Sequence, residues 1–422
     1  MTSPAPDLDP VEDSTPVTEL PPIAPPGSRT GRVSGLDGLR GLAALYVMLH
    51  HTWLNSFDGF PENNGPWWTG WLLYGHFGVV VFIVLSGFSL GVSPARKGWR
   101  LGGVRRFAQR RAWRILPPYW AALVFSLIVA WAIIPAPGEL APTAKSVLVY
   151  GTLFQDAVGA PAPNGAFWSI AIEFHLYFLF PLLLLSLRRI GPIITLTVVT
   201  VVVATIGGLA PHVSVADALM RFVPQLAVLF AMGVVAAGVV AARDRLRNLP
   251  WHWLALAAVV PVLGLIVIKG SVFVADNFFW VDLALGPAVA MLLAAVATNR
   301  PAPLVRVLDS RPLRRLGSFS YSLYLVHAPI VWVIRQKVAG PLVPDGVPTF
   351  LVTLGLSIVV AIPFAWLFAR FFELPFQRHR DWSALREAIG LRRPPARGYR
   401  PAHQRSSTTQ PQPVDAVGGS HE

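Results

Sequence analysis

The 422-residue chain has no cysteine, few charged residues and no evident internal repeat. Without thiols it has no disulfide framework, cysteine-based zinc site or thiol nucleophile, although that absence identifies no compartment. Only 14% of its residues are charged against 54% hydrophobic, whereas soluble domains carry about 25% charge. The composition therefore reads as an all-α polytopic membrane protein. Lack of repeat symmetry leaves an inverted-repeat transporter without support. The amino terminus has no signal-peptide core: residues 1–33 are rich in proline and in acids such as Asp7, Asp9, Glu12 and Glu19. They read as a disordered cytosolic tail, with the first membrane helix acting as the insertion signal. Residues 381–422, rich in Arg, Pro, Ser and Gln, read as a second, basic tail around a membrane domain at 34–380.

Ten apolar runs approach the ~20 residues that cross a hydrocarbon core. They lie near 36–54, 72–92, 116–134, 167–187, 193–210, 219–241, 251–268, 279–298, 318–335 and 348–370. The patch 146–155 is too short to span and is expected in or on the membrane. A net charge of +13 raises the question of nucleic acid, but its distribution follows membrane topology instead. Eight basic residues lie between Arg96 and Arg114, five between Arg300 and Arg315, and more at Arg188, Arg189, Arg243, Arg245 and Arg247. The alternate loops hold only Lys145, Lys269, Arg335 and Lys337. The positive-inside rule then predicts ten helices with both termini cytoplasmic, in a multi-pass plasma-membrane protein with no nucleic-acid partner.

Ionisable residues at membrane depth are costly, about 2.5–3.5 kcal/mol each on insertion scales, and invite a functional reading. The run Leu36–Leu54 carries Asp37, Arg40, His50 and His51. Arg40 and His51 are eleven residues apart, which on an α-helix puts them on one face about 16 Å apart. His50 points about 100° away. Counting along the helices, His51 lies ~22 Å up a ~30 Å core, and Glu173 lies ~9 Å below the outer end of its own helix. The two reach similar depth from opposite directions. His327 falls near mid-membrane with Tyr321 and Tyr324 on its face, and a hydrogen bond bridging helices explains it as well as a function does. For Asp282 and Glu373 structural pairing is the better reading. Ser86 and Gly87 permit close helix approach or a backbone turn. The Arg96–Arg114 segment fits either an anion site for phosphates or an anchor for anionic lipid.

Several of these stretches together resemble the integral-membrane acyltransferase family 3, whose members O-acylate envelope sugars, antibiotics and related acceptors. LDGLRGLAALYVMLHH fits the family's Arg, ten residues, His pattern through Arg40 and His51. VFIVLSGF, RRAWRILPPYW (Arg111, Arg114), FWSIAIEFHLYFLFP (Trp168, Ser169, Glu173, Tyr177), SYSLYLVHAPI (His327) and FFELPFQR (Glu373, Pro375) resemble its other motifs in order. Two positions depart from the pattern: Leu176 replaces the usual Phe, and His175 stands where Gln is common, so acceptor contacts near Glu173 are expected to be unusual. The chain is also expected to lack the extracytoplasmic hydrolase-like domain that some members append.

The resemblance implies transfer of an acyl group, acetyl being the expected one, from acyl-CoA to a hydroxyl of a glycan, glycolipid or secondary metabolite. No permanent cofactor or metal is implied; acyl-CoA is a co-substrate. A histidine with an ordinary pKa near 6.5 suits proton abstraction from that hydroxyl at neutral pH. His51 is the expected general base, with Glu173 orienting it and stabilising its cation. Direct attack on the thioester is favoured over an acyl-histidine intermediate. Arg40, Arg111, Arg114 and Ser86 are assigned to the donor, with Arg40 also able to pair with Asp37. Asp37, His175, Tyr177, His327 and Tyr324 are assigned to the acceptor or to support. The rival reading is a proton-coupled transporter using the same intramembrane His, Glu and Arg.

Overall fold

The computed structural model describes residues 33–379 together with Asp381 and Arg386, so both expected tails lie almost wholly outside the described residues. Among these residues every regular element is a helix, with no strand. The chain opens with α1 (Leu36–Leu54), followed by a 3-10 segment Trp67–Tyr74 that leads into α2 (His76–Ala95) and then α3 (Val104–Ala132). Next come α4 (Ala144–Gly151), α5 (Trp168–Leu209), α6 (Ser214–Met220), α7 (Gln225–Ala236) and the short α8 (Asp244–Arg247). The second half contains α9 (Trp251–Asp276), α10 (Phe278–Ala297), α11 (Ala302–Leu308), α12 (Arg311–Ser318) and α13 (Ser320–Val333). It closes with α14 (Gly340–Leu342), α15 (Val347–Phe368) and α16 (Leu374–Arg378).

Six helices are long and apolar enough to cross a membrane, or up to eight if each of two bent pairs counts as one span. The bent pairs are α6 with α7, and α12 with α13, the latter turning by 71°. The sequence suggests ten spans, and the difference has physical sources. The 19-residue α1 carries Asp37, Arg40, His50 and His51, which dilute its apolar character. The 42-residue α5 is continuous by hydrogen bonding, yet Gly191 has φ 81° and ψ 170°, just before Pro192. A straight helix of that length would extend about 60 Å, twice a hydrocarbon core. One correction concerns α3, which begins at Val104 rather than near 116. Its basic first three turns contain no helix breaker before Pro117, so the arginines project from a helix and not from a loop. The short patch forms α4, eight residues long and capped by Thr143 and Ser146 side chains in a capping box.

Helix α1 is surrounded by α2, α12, α13 and α15, so its polar groups face protein rather than lipid. Its crossing with the α11–α12 segment depends on glycine. A Cβ on Gly38 would lie 1.9 Å from the Leu308 carbonyl oxygen, and one on Gly317 would lie 1.9 Å from the Asp37 carbonyl oxygen. Backbone cannot give way as a flexible side chain can. Gly38→Ala and Gly317→Ala are each expected to destabilise the fold by about 3 kcal/mol, checked by apparent Tm in detergent. Helices α2 and α7 approach in the same way through Gly87 and Gly233, whose Cβ positions would meet Phe230 O at 2.1 Å and Val84 O at 2.0 Å. Polar ties join other helices. Asp282, fully buried, accepts from His76 Nε2 at 3.0 Å and Gln225 Nε2 at 3.3 Å. Glu373 accepts from the Ser322 backbone N–H and hydroxyl and from Gln377 Nε2.

Candidate active site

Three cavities are lined by residues of α1, α2, α3, α5 and α13 and the loops between them. The inner one, about 190 Å³, is lined by Arg40, Ser86, Arg111, Arg114, Glu173, Tyr177 and Tyr324 among others. The structure thus brings most of the sequence-derived candidates to one chamber. Arg40 donates to Asp37 Oδ1 at 2.9 Å and to Ser89 Oγ at 3.3 Å, which holds its guanidinium at the chamber wall. Glu173 Oε1 accepts from Ser86 Oγ and from Tyr177 OH, both at 2.6 Å. The guanidinium of Arg111 lies 6.0 Å from the Phe107 and Tyr177 ring centres, within reach of a cation–π attraction.

Arg111 also borders a second cavity of about 240 Å³, together with Ser89, Ser93, Lys97, Arg100, Arg106 and Arg110. Arg106 and Arg110 are four residues apart on α3 and share a face, as do Ser89 and Ser93 on α2. This strongly basic vestibule meets the inner cavity at Ser89, Leu90 and Arg111. An i, i+4 reading of the arginine run would have marked Arg106 and Arg110.

His51 lies elsewhere. It lines a third cavity of about 230 Å³ with Asn55, Glu139, Asn164, Pro329 and Trp332. Glu173 is not bonded to it among the described residues; the partner of His51 is His327, whose Nε2 lies 3.3 Å from His51 Nδ1. Depth counting places two residues at one level of the membrane but says nothing of the direction each faces, and Glu173 faces the inner chamber. His175 lines none of these three cavities and packs instead against Phe154, Phe174 and Phe222. Tyr324 OH bonds Ser169 Oγ at 2.6 Å, and both face the inner cavity. One turn on, His327 meets His51, which faces the outer one. The stretch from Tyr324 to Ala328, with His51, is therefore the partition between the two cavities.

The hydrogen bonds also assign the tautomers. His327 Nδ1 contacts the carbonyl oxygens of Tyr324 at 2.7 Å and Leu323 at 3.1 Å. Carbonyls only accept, so Nδ1 carries the proton and neutral His327 presents a lone pair at Nε2. His51 Nδ1 faces that lone pair and the Val47 carbonyl at 2.9 Å. With both imidazoles neutral, Nδ1 is then the protonated nitrogen, which leaves His51 Nε2 as a basic nitrogen with no hydrogen-bond partner among the described residues. His50 is turned away, bonding the Leu72 carbonyl at 2.7 Å through Nδ1. Among the described residues no three His, Cys, Asp or Glu side chains are placed to hold a metal ion.

The loop that supplies Ala162–Gly165 to the outer cavity also carries Asp156. Its Oδ2 is buried without a hydrogen-bond partner among the described residues, and burial raises its pKa to about 6. The folded state then holds a proton that the unfolded chain has released, so stability falls as pH rises from about 4 to 6 and is flat above. Asp156→Asn is expected to raise apparent Tm by roughly 1–2 °C above pH 7 and to leave it unchanged near pH 4. Thermal unfolding across that range tests this.

Residues 33–370 match the family described as an acyltransferase domain, acyltransferase 3. The chain belongs to that family. Among its relatives are YrhL of Bacillus subtilis, named provisionally as a peptidoglycan O-acetyltransferase, 26% identical over 82% of this chain and 55% of YrhL. Nodulation protein 10 of Rhizobium leguminosarum is 26% identical over 71% of this chain and 83% of that protein. Acyltransferase MdmB of Streptomyces mycarofaciens is 26% identical over 74% of this chain and 83% of MdmB. The chain spans about half the length of YrhL. No solved structure matches it.

Proposed function

We propose that this acyltransferase 3 protein is a membrane O-acyltransferase that moves an acyl group, acetyl in the first instance, from acyl-CoA to an acceptor hydroxyl. The observation that carries the reading is the partition: an imidazole pair with one free basic nitrogen stands between an arginine-lined cavity and an outer one. The donor's phosphates are placed in the basic vestibule, its pantetheine arm along the inner cavity past Arg40 and Glu173, and its thioester at the partition. The acceptor enters the outer cavity. His51 Nε2 takes the hydroxyl proton as the oxygen attacks the thioester carbon; the C–S bond breaks, and the proton leaves with the CoA thiolate. His327, rather than Glu173, orients the base in this mechanism: its Nε2 lone pair accepts from His51 Nδ1–H and so stabilises the imidazolium.

The orientation that fits is both termini in the cytoplasm, with α1, the two halves of α5 on either side of Gly191, and the two bent pairs each counted as spans. That makes ten in a plasma-membrane protein. The relatives named as acting on peptidoglycan make a glycan acceptor the first to try. Purified protein with radiolabelled acetyl-CoA and glycan acceptors provides the test, and acceptor-dependent label transfer is expected. Proton-gradient-driven uptake into liposomes without any transfer would overturn this reading in favour of a transporter.

A further inference from the structure

One turn of α13 lacks a donor by sequence. Pro329 lies two residues beyond His327, and a residue at that place would normally donate its N–H to the carbonyl oxygen of Leu325. Proline has no N–H, so that oxygen loses its helical partner. Leu325 is fully buried, and a buried carbonyl needs a donor from elsewhere. Asn164 supplies it: its Nδ2 donates to Leu325 O at 2.9 Å. The amide can take only one orientation, because Asn164 Oδ1 accepts from the Ala166 backbone N–H at 2.9 Å and carbonyls do not donate. A second, longer contact joins Nδ2 to Ser126 Oγ at 3.3 Å. Asn164 is only 2% exposed and borders the outer cavity.

Resting on the acyl-transfer reading above, we infer that Asn164 is a positioning residue for His327. By replacing the hydrogen bond that Pro329 cannot make, it fixes the turn from which His327 meets His51. That turn also holds the Leu323 and Tyr324 carbonyls that set the His327 tautomer. If the Leu325 peptide is released, its neighbours rotate with it, and the 3.3 Å approach of the two imidazoles is lost.

The test uses the full-length protein and four variants. Asn164→Asp keeps the oxygen that Ala166 needs but turns a second oxygen towards Leu325 O. It is expected to lower kcat by about tenfold or more while leaving KM for acyl-CoA within about twofold. Pro329→Ala supplies the missing N–H from the helix itself. In that background Asn164→Asp is expected to cost less than about threefold in kcat, and its cost in apparent Tm is expected to shrink as well. Ser126→Ala, which removes only the longer contact, is expected to keep kcat within about twofold. If Asn164→Asp fails to fold alone, the Pro329→Ala background is expected to restore folding. Failure there, or equal losses in both backgrounds, overturns the proposal. Coupling in Tm without coupling in kcat reduces Asn164 to a structural tie and refutes positioning. Should the unmodified protein transfer no acyl group, the enzymatic reading fails, and the Tm cycle still decides whether the tie exists.

Discussion

His51→Ala is expected to lower kcat by about 10²–10⁴-fold, the range in which a positioned general base contributes, with the protein inserted and its apparent Tm little changed. His51 Nε2 is the free basic nitrogen of the pair, since Nδ1 is committed to Val47 O and His327. On the proposed mechanism, removing the ring takes away the proton acceptor and leaves water to do its work. On the same proposal His327→Ala removes only the group that orients the base and shares its charge, so a smaller loss of about 10–10² is expected. Glu173→Gln keeps a side-chain oxygen for Ser86 and Tyr177, so its effect should fall on the donor and not on proton transfer. The three variants therefore rank the roles. Near-normal turnover in His51→Ala would end the assignment of the base, and Glu173→Gln matching His51→Ala in kcat would restore the sequence-based pairing. Direct attack also predicts no burst of CoA release without acceptor, whereas an acyl-histidine intermediate would produce one.

What the sequence reveals of this site follows from what helical periodicity can and cannot encode. Within one helix the period converts spacing into direction, so Arg40 and His51 were legible as a pair of levels on α1, and His50 was separable from His51. Across helices only depth is available. Glu173 and His51 share a level, yet Glu173 turns to Ser86 and Tyr177 while His51 turns to His327. Azimuth between helices is decided by packing, here by the glycine crossing of α1 with α12 and by the 71° turn into α13. Charge also masks helix: the arginine-rich start of α3 reads as a topological loop, although nothing in it breaks a helix before Pro117. Asn164 is not legible in the sequence for a related reason. Its neighbour in the fold, the carbonyl made needy by Pro329, lies 161 residues away in the chain.

Arg111→Ala is expected to raise KM for acyl-CoA by about 10–100-fold, the value of one or two charge-assisted hydrogen bonds to phosphate, with no comparable change in KM for the acceptor. Of the three residues shared by the vestibule and the inner cavity, Ser89, Leu90 and Arg111, only Arg111 is a cation, so on the proposed path it is the charge that the donor passes. Arg114 lines only the inner cavity of the two, and Arg114→Ala should weaken the donor less in the vestibule and more along its arm. Arg106→Ala and Arg110→Ala separate phosphate binding from lipid anchoring. If the vestibule grips phosphates, both raise KM for acetyl-CoA, and the defect shrinks when the donor is an acetylated pantetheine that carries no nucleotide. If the arginines only anchor the helix to anionic lipid, KM is unchanged in neutral detergent and activity depends on lipid composition instead. Lysine at Arg111 is expected to recover only part of the loss, because an ammonium lacks the planar fork and stacks less well against Phe107 and Tyr177. An Arg111→Lys protein with unaltered donor KM would show that position to be a simple point charge, and the donor's path past the aromatic pair would have to be redrawn.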